Sequence, residues 1–191
     1  MLKSLGAKTL AFPAPAWAVG TYDENGKPNA MLAAWAGLCC SKPPCVSVSL
    51  RSATYSHHAV IAQKAFTVNI PSEEFVKEAD YLGMASGRDE DKFAKAGLST
   101  IPSELVYAPI ITDFPMVLEC KLVHTVEVGL HTLFVGEIQD VKVQEELLDL
   151  NGHLDTDKLK PVVFGPGSRH YYGIGKFLGK AFSIGDEIRK K

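Results

Sequence analysis

The sequence has 191 residues, of which 46% are hydrophobic and 22% charged, a globular balance that excludes a wholly disordered or collagen-like chain. Lys and Arg number 20 against 22 Asp and Glu, so the net charge of −2 argues against a generally basic nucleic-acid binder while leaving room for a local anion site. The longest apolar run, Ala30–Cys40, falls far short of the roughly 20 residues of a membrane helix, and Met1–Gly6 holds no sustained apolar segment, so a cytoplasmic protein with no membrane or nucleic-acid partner is expected.

Ala16–Tyr22 reads as a strand, Asp23–Lys27 as a turn signalled by Asn25-Gly26, and Pro28–Cys40 as a single returning strand. Cys45–Arg51 alternates Val46, Val48 and Leu50 with Ser47, Ser49 and Arg51, the pattern of a half-buried strand. Thr54–Lys64 is predicted helical, with Thr54 or Ser56 as N-cap. Ala65–Ile70 is a further strand stopped by Pro71. Glu73–Ala85 is predicted helical, Ser86-Gly87-Arg88 breaks it, and Asp89–Ala96 adds one or two turns before Gly97. Thr100–Pro115 reads as loop with one short strand at most. Met116–Glu127 and His131–Val143 are long strands joined by so short a connection that they must be antiparallel. From Asp149 the chain is glycine-rich with little periodicity. No repeat or linker divides it, so one domain over 1–191 is expected, mainly β with inserted helices. A closed antiparallel barrel suits this order better than a doubly wound parallel sheet.

Four cysteines, Cys39, Cys40, Cys45 and Cys120, read as free thiols, since adjacent Cys39 and Cys40 bridge only with strain. The six histidines show no metal-ligand spacing, and no metal is expected; His124 and His131 are placed so that they face each other across the hairpin. Gly165-Pro166-Gly167 lacks the Lys-Ser/Thr of a phosphate loop, and Gly173-Ile174-Gly175 lacks the third glycine of a dinucleotide fingerprint.

Three elements could together hold one ligand. Asn29, Met31, Ala33 and Trp35 are spaced to share a strand face, a surface suited to a flat heteroaromatic ring. Ser49-Leu50-Arg51-Ser52-Ala53-Thr54 leads into a helix start, whose free N–H groups favour a phosphate. Ser86-Gly87-Arg88 is read as opening the next helix, with Arg88 and Lys92 at i, i+4 converging on an anion.

Phe12-Pro13-Ala14-Pro15, Val19-Gly20-Thr21, Gly26–Met31, Ala34-Trp35, Val46–Arg51 with Thr54 and His57, Phe66–Pro71 and His131–Ile138 follow in an order that resembles the flavin-reductase-like FMN-binding split barrels. The resemblance runs from about Leu10 to Tyr172, and among these proteins it leans toward electron carriers. It implies a six-stranded antiparallel Greek-key barrel that forms a homodimer, with FMN as cofactor. Carried over, Asn29, Ala30, Met31, Ala33 and Trp35 line the ring, and Ser49, Leu50, Arg51 and Thr54 surround the ribityl chain and phosphate. Ser86, Gly87, Arg88, Asp89 and Lys92 close the phosphate side, and His131 stands near the electron- or hydride-donor site. The implied role is electron carriage between redox protein donors and acceptors. A reductase that uses NAD(P)H to supply reduced flavin, or a barrel that binds a ligand without redox turnover, are the alternatives.

Overall fold

The structure is a computed structural model that describes residues 1–189. Its strands and helices run in the order β1 (Ala14–Pro15), β2 (Trp17–Tyr22), β3 (Pro28–Ala33), β4 (Ala36–Ser41), β5 (Pro44–Arg51), α1 (Tyr55–Gln63), β6 (Ala65–Ile70), α2 (Val76–Met84) and α3 (Lys92–Ala96). They continue as β7 (Thr100–Pro102), β8 (Pro109–Ile111), β9 (Met116–Val128), β10 (His131–Val143), α4 (Thr156–Leu159), β11 (Val163–Gly165), β12 (His170–Tyr172) and α5 (Asp186–Arg189). Among the described residues no helix is long and apolar enough to cross a membrane.

Seven strands form one antiparallel sheet in the order β3-β2-β6-β9-β10-β5-β4. Its two edge strands, β3 and β4, are consecutive in the chain. The stretch read as one strand over Pro28–Cys40 is broken by a bend at Ala34-Trp35. Its first half pairs with β2; by Trp35, whose carbonyl accepts from the Ser49 N–H at 2.7 Å, it has moved to β5. One bent stretch therefore belongs to both edges and curls the sheet on itself. Counted as one strand it gives the expected six, and counted by hydrogen bonding the sheet has seven.

The interior is filled by the alternating side chains of β5, Val46, Val48 and Leu50, with Val19, Phe66, Val68, Leu118 and Phe134. Gly136 leaves the space for Phe66, because a Cβ there would come within 2.5 Å of the ring. Burying a ring of this size contributes about 1.5–3 kcal/mol. A second apolar layer lies outside the barrel. There α2 and α3 set Ala79, Leu82 and Phe93 against Ala18 and Ala30 of β2 and β3.

Two segments are more ordered than their sequence suggests. Thr100–Pro115 holds a two-stranded hairpin, β7 with β8, tied to the barrel where the Ile111 N–H donates to Asn69 Oδ1 at 2.9 Å. In the glycine-rich tail β11 pairs with both β1 and β12, a three-stranded sheet of partners 148 or more residues apart in sequence at its β1 edge. Local periodicity is silent there because the pairing is long-range and each strand is only two or three residues long.

Candidate functional site

A cleft of about 430 Å³ opens where β3, the start of α1, the end of α2 and the loop before α3 meet. Eight of the fourteen residues expected at a cofactor line it: Asn29, Met31, Thr54, Ser86, Gly87, Arg88, Asp89 and Lys92. Tyr55, Ser56, Leu82 and Gly83 join them and were not foreseen. The signal for Ser56 was present in its position one step inside a helix start; Leu82 and Gly83 read only as helix interior.

Asn29 sits in β3 with its amide buried. Its Nδ2 donates to Ser56 Oγ at 2.9 Å, while its Oδ1 is buried without a hydrogen-bond partner among the described residues. An acceptor left in that state costs about 1–3 kcal/mol. Gly87 passes directly over it, and a Cβ on Gly87 would come within 2.4 Å of Asn29 Oδ1 and 2.8 Å of the Tyr55 ring.

Two sources of positive charge converge on the cleft. The first is the start of α1. Its N-cap, Thr54, makes no side-chain cap; the hydroxyl donates instead to the Arg51 carbonyl at 2.8 Å. The N–H groups of Thr54 and His57 donate to the carbonyls of Arg51 at 2.9 Å and Thr54 at 3.3 Å, so among the described residues it is those of Tyr55 and Ser56 that are left to a ligand or to solvent. The second is Lys92, only 4% exposed. Its Nζ donates to the carbonyls of Leu82 at 2.9 Å and Ala85 at 3.2 Å, which close the end of α2. Burial pulls its pKa down from 10.5 to about 8, with Glu90 acting in the opposite direction.

Arg88 reaches the cleft differently from the expectation. Ser86-Gly87-Arg88 does not open α3, whose N-cap is Asp91, so Arg88 and Lys92 are not one helical turn apart. The Arg88 guanidinium is on the surface, donating to the Ala53 carbonyl at 3.2 Å and lying over the Tyr55 ring at 5.7 Å. Its charge still borders the cleft, but screened by water, whereas that of Lys92 is enclosed.

The remaining expected residues lie elsewhere. Ala33 and Leu50 point into the barrel interior and Ala30 into the layer under α2. Ser49 and Arg51 alternate to the opposite face of β5, where the register sets Arg51 beside His131. Trp35 follows the bend and stands with its ring 6.5 Å from that of His131. Asn29, Met31, Ala33 and Trp35 thus do not form one continuous face, because the strand ends at Ala33. His124 and His131 do not face each other either: His124 pairs with Val135 and His131 with Val128.

Residues 9–161 match the family described as "Flavin reductase like domain". The chain belongs to this family. It is similar to the solved flavoredoxin of Desulfovibrio vulgaris (Miyazaki F), at 54% identity and a TM-score of 0.93 over 97% of this chain and 100% of that one. It is also similar to flavoredoxin from Methanosarcina acetivorans, at 28% identity and a TM-score of 0.91 over 98% and 100% of the two chains. A ferric-chelate reductase (NAD(P)H) of Archaeoglobus fulgidus is 30% identical over 127 residues, 66% of this chain and 74% of that protein. The chain spans 65% and 55% of the length of two other archaeal relatives that it matches.

The family implies a flavin, and the residues at the cleft suit one. The orphaned Asn29 Oδ1 asks for an N–H or O–H donor, which a flavin ring and its ribityl chain both carry. Met31, Tyr55 and Leu82 give apolar walls. The uncapped start of α1 and the enclosed ammonium of Lys92 ask for an anion.

Proposed function

We propose that the chain binds one FMN without covalent linkage and carries electrons between redox protein partners. The observation that carries the cofactor assignment is the convergence of the uncapped start of α1 and buried Lys92 on one cleft beside Asn29. Thr54, Ser86 and the N–H groups of α1 would hold the phosphate, with Lys92 as the enclosed cation and Arg88 as the outer one. Asn29 and Ser56 would orient the polar edge of the group, and Gly87 would let the loop close on it. Bound FMN supplies one- and two-electron redox chemistry; the protein sets its orientation, its exposure and the charge beside it.

Electron carriage rests on the likeness to two flavoredoxins along nearly the whole of both chains. The reductase reading is favoured by one relative, the ferric-chelate reductase (NAD(P)H). Stopped-flow reduction of the FMN-bound protein separates them. A low-potential redox protein is expected to reduce the flavin quickly, with NADH and NADPH slow. Rapid reduction by either nicotinamide, followed by release of reduced FMN, would establish the reductase instead.

We also propose a homodimer. The outer face of the β9–β10 hairpin carries Val126, Val128 at 56% exposure and Leu130 at 63%, beside half-buried Leu133 and Val135. A contiguous apolar face of this kind is uncommon on a monomer. Light scattering that gives a single 20.7 kDa species with FMN bound would remove the dimer.

A further inference from the structure

Three of the four cysteines meet at one end of the β4–β5 ladder. Leu38 pairs with Val46 and Cys40 with Cys45, so Cys39 is the extra residue of a β-bulge. Cys40 and Cys45 therefore stand directly across from each other. Cross-strand Cα atoms are ~4.5–5.5 Å apart, within the ~4.4–6.8 Å range of disulfides. Cross-strand Cβ atoms at ~4.5–5.5 Å must close by up to about 1 Å to reach the spacing of a bridge. β4 can supply that movement, since it lies at the edge of the sheet, is bulged at this point and is held on one side only.

The three thiols differ in access. Cys39 and Cys40 are exposed, while Cys45 is 5% exposed. Burial pushes the Cys45 thiol up, with Cys40 and Cys39 adding to the effect, so that it stays protonated and is a poor first target for an electrophile. Cys120 is enclosed in the barrel interior. Among the described residues no group of three His, Cys, Asp or Glu side chains is arranged to hold a metal ion, so the cluster points to thiol chemistry.

We propose that Cys40 and Cys45 form a thiol–disulfide exchange site separate from the flavin cleft, with a low-molecular-weight disulfide such as oxidised glutathione as its substrate. The Cys40 thiolate attacks one sulfur of the disulfide, forming a mixed disulfide and releasing one thiolate. Cys45, giving up its proton to the thiolate released in the first step, then attacks the Cys40 sulfur, forming the Cys40–Cys45 bond and releasing the second thiolate. The two cysteines lose two electrons and two protons; the small disulfide gains both and leaves as two thiols. Only four residues separate the partners, so closing the loop costs little entropy.

The test uses the natural chain, reduced, exposed to oxidised glutathione, blocked with N-ethylmaleimide and digested with trypsin. Lys27 and Lys42 both precede proline, so the three cysteines stay together in the peptide spanning 9–51. That peptide is expected two hydrogens lighter, with one maleimide, on Cys39. Cys39→Ser should still form the link, and Cys45→Ser should accumulate glutathione on Cys40. Three maleimides on that peptide of the natural chain, a persistent glutathione adduct in place of the link, or a bond from Cys39 to Cys45 would each overturn the proposal.

Discussion

Lys92 Nζ lies 2.9 Å from the carbonyl oxygen of Leu82, so the first residue of α3 closes the last turn of α2 with an ammonium group set inside the cleft. With a pKa of about 8 in the folded chain against about 10.4 when unfolded, Lys92 binds fewer protons folded than unfolded between those values. The stability of the FMN-free protein should therefore rise with pH across that window, as the cost of the buried charge is relieved. The scale is about 3 kcal/mol. Urea midpoints at several pH values, with Lys92→Met as control, check this: the variant should lack that part of the rise.

FMN binding should show the opposite slope. A phosphate beside Lys92 favours its charged form, so binding takes up a proton wherever free Lys92 is neutral. Affinity is expected to hold below pH 8 and to fall as pH rises through it. Fluorescence titration of stripped protein measures this. Lys92→Met should weaken FMN by about 1.5–3 kcal/mol and remove the slope; an unchanged slope would refute the assignment of Lys92 to the phosphate.

Arg88 should matter less than Lys92, because its guanidinium is exposed and screened. Arg88→Ala is expected to cost about 0.2–1 kcal/mol of FMN binding, and less at high salt. Riboflavin, which lacks the phosphate, should bind the natural chain much more weakly than FMN and be almost indifferent to Arg88→Ala. Equal affinity for the two flavins would sink the phosphate reading altogether.

Local rules reach some of these residues and not others. The alternation in β5 gives its inner face, Val46, Val48 and Leu50, and the boundaries of β6 and β10 follow from proline and from hydrophobic pattern. The bend at Ala34-Trp35 is invisible to pattern, because an apolar run continues through it; what breaks the strand is a change of partner from β2 to β5. Trp35 consequently leaves the face of Asn29 and Met31. The setting of Lys92 escapes local rules for a related reason. Spacing places it one helical turn from Arg88 as half of a basic pair, and only the folding of α3 against the end of α2 encloses it. The pairing of Cys40 with Cys45 needs the hairpin register, which a bulge at Cys39 shifts by one residue.

Gly87 offers a test of how tightly the loop closes. Its φ is not in the left-handed region, so the constraint is space: a Cβ would meet Asn29 Oδ1 at 2.4 Å and Tyr55 at 2.8 Å. Gly87→Ala should push the loop off Asn29, costing about 1–3 kcal/mol from overpacking. The loss should appear in FMN affinity more than in folding, since the loop lies outside both apolar layers. Gly37→Ala, with nothing within 4 Å of the added methyl group, is the control and should leave binding unchanged.

The last prediction concerns the link between α1 and the long hairpin. His57 is buried, and its Nε2 lies 2.8 Å from Thr132 Oγ1. The Thr132 hydroxyl also lies 3.1 and 3.0 Å from the two carboxylate oxygens of Glu127, and it has one proton to give. A carboxylate can only accept, so the proton goes to Glu127 and the hydroxyl accepts from His57 Nε2–H. That fixes the neutral tautomer, with Nδ1 bare and buried without a partner among the described residues. Burial lowers the His57 pKa, His58 adds to this, and Glu127 opposes it. The folded chain therefore binds fewer protons than the unfolded one below the usual histidine value of about 6.5, and stability should fall as pH drops from there toward the folded pKa. Thr132→Val leaves the Nε2–H without its acceptor and should cost about 1–3 kcal/mol at pH 7.5. Thr132→Ser keeps the hydroxyl and should recover most of the loss. Chemical denaturation of both variants at pH 7.5 and 5.5 decides the matter: equal stability of the Val and Ser variants would mean that the hydroxyl does not hold His57.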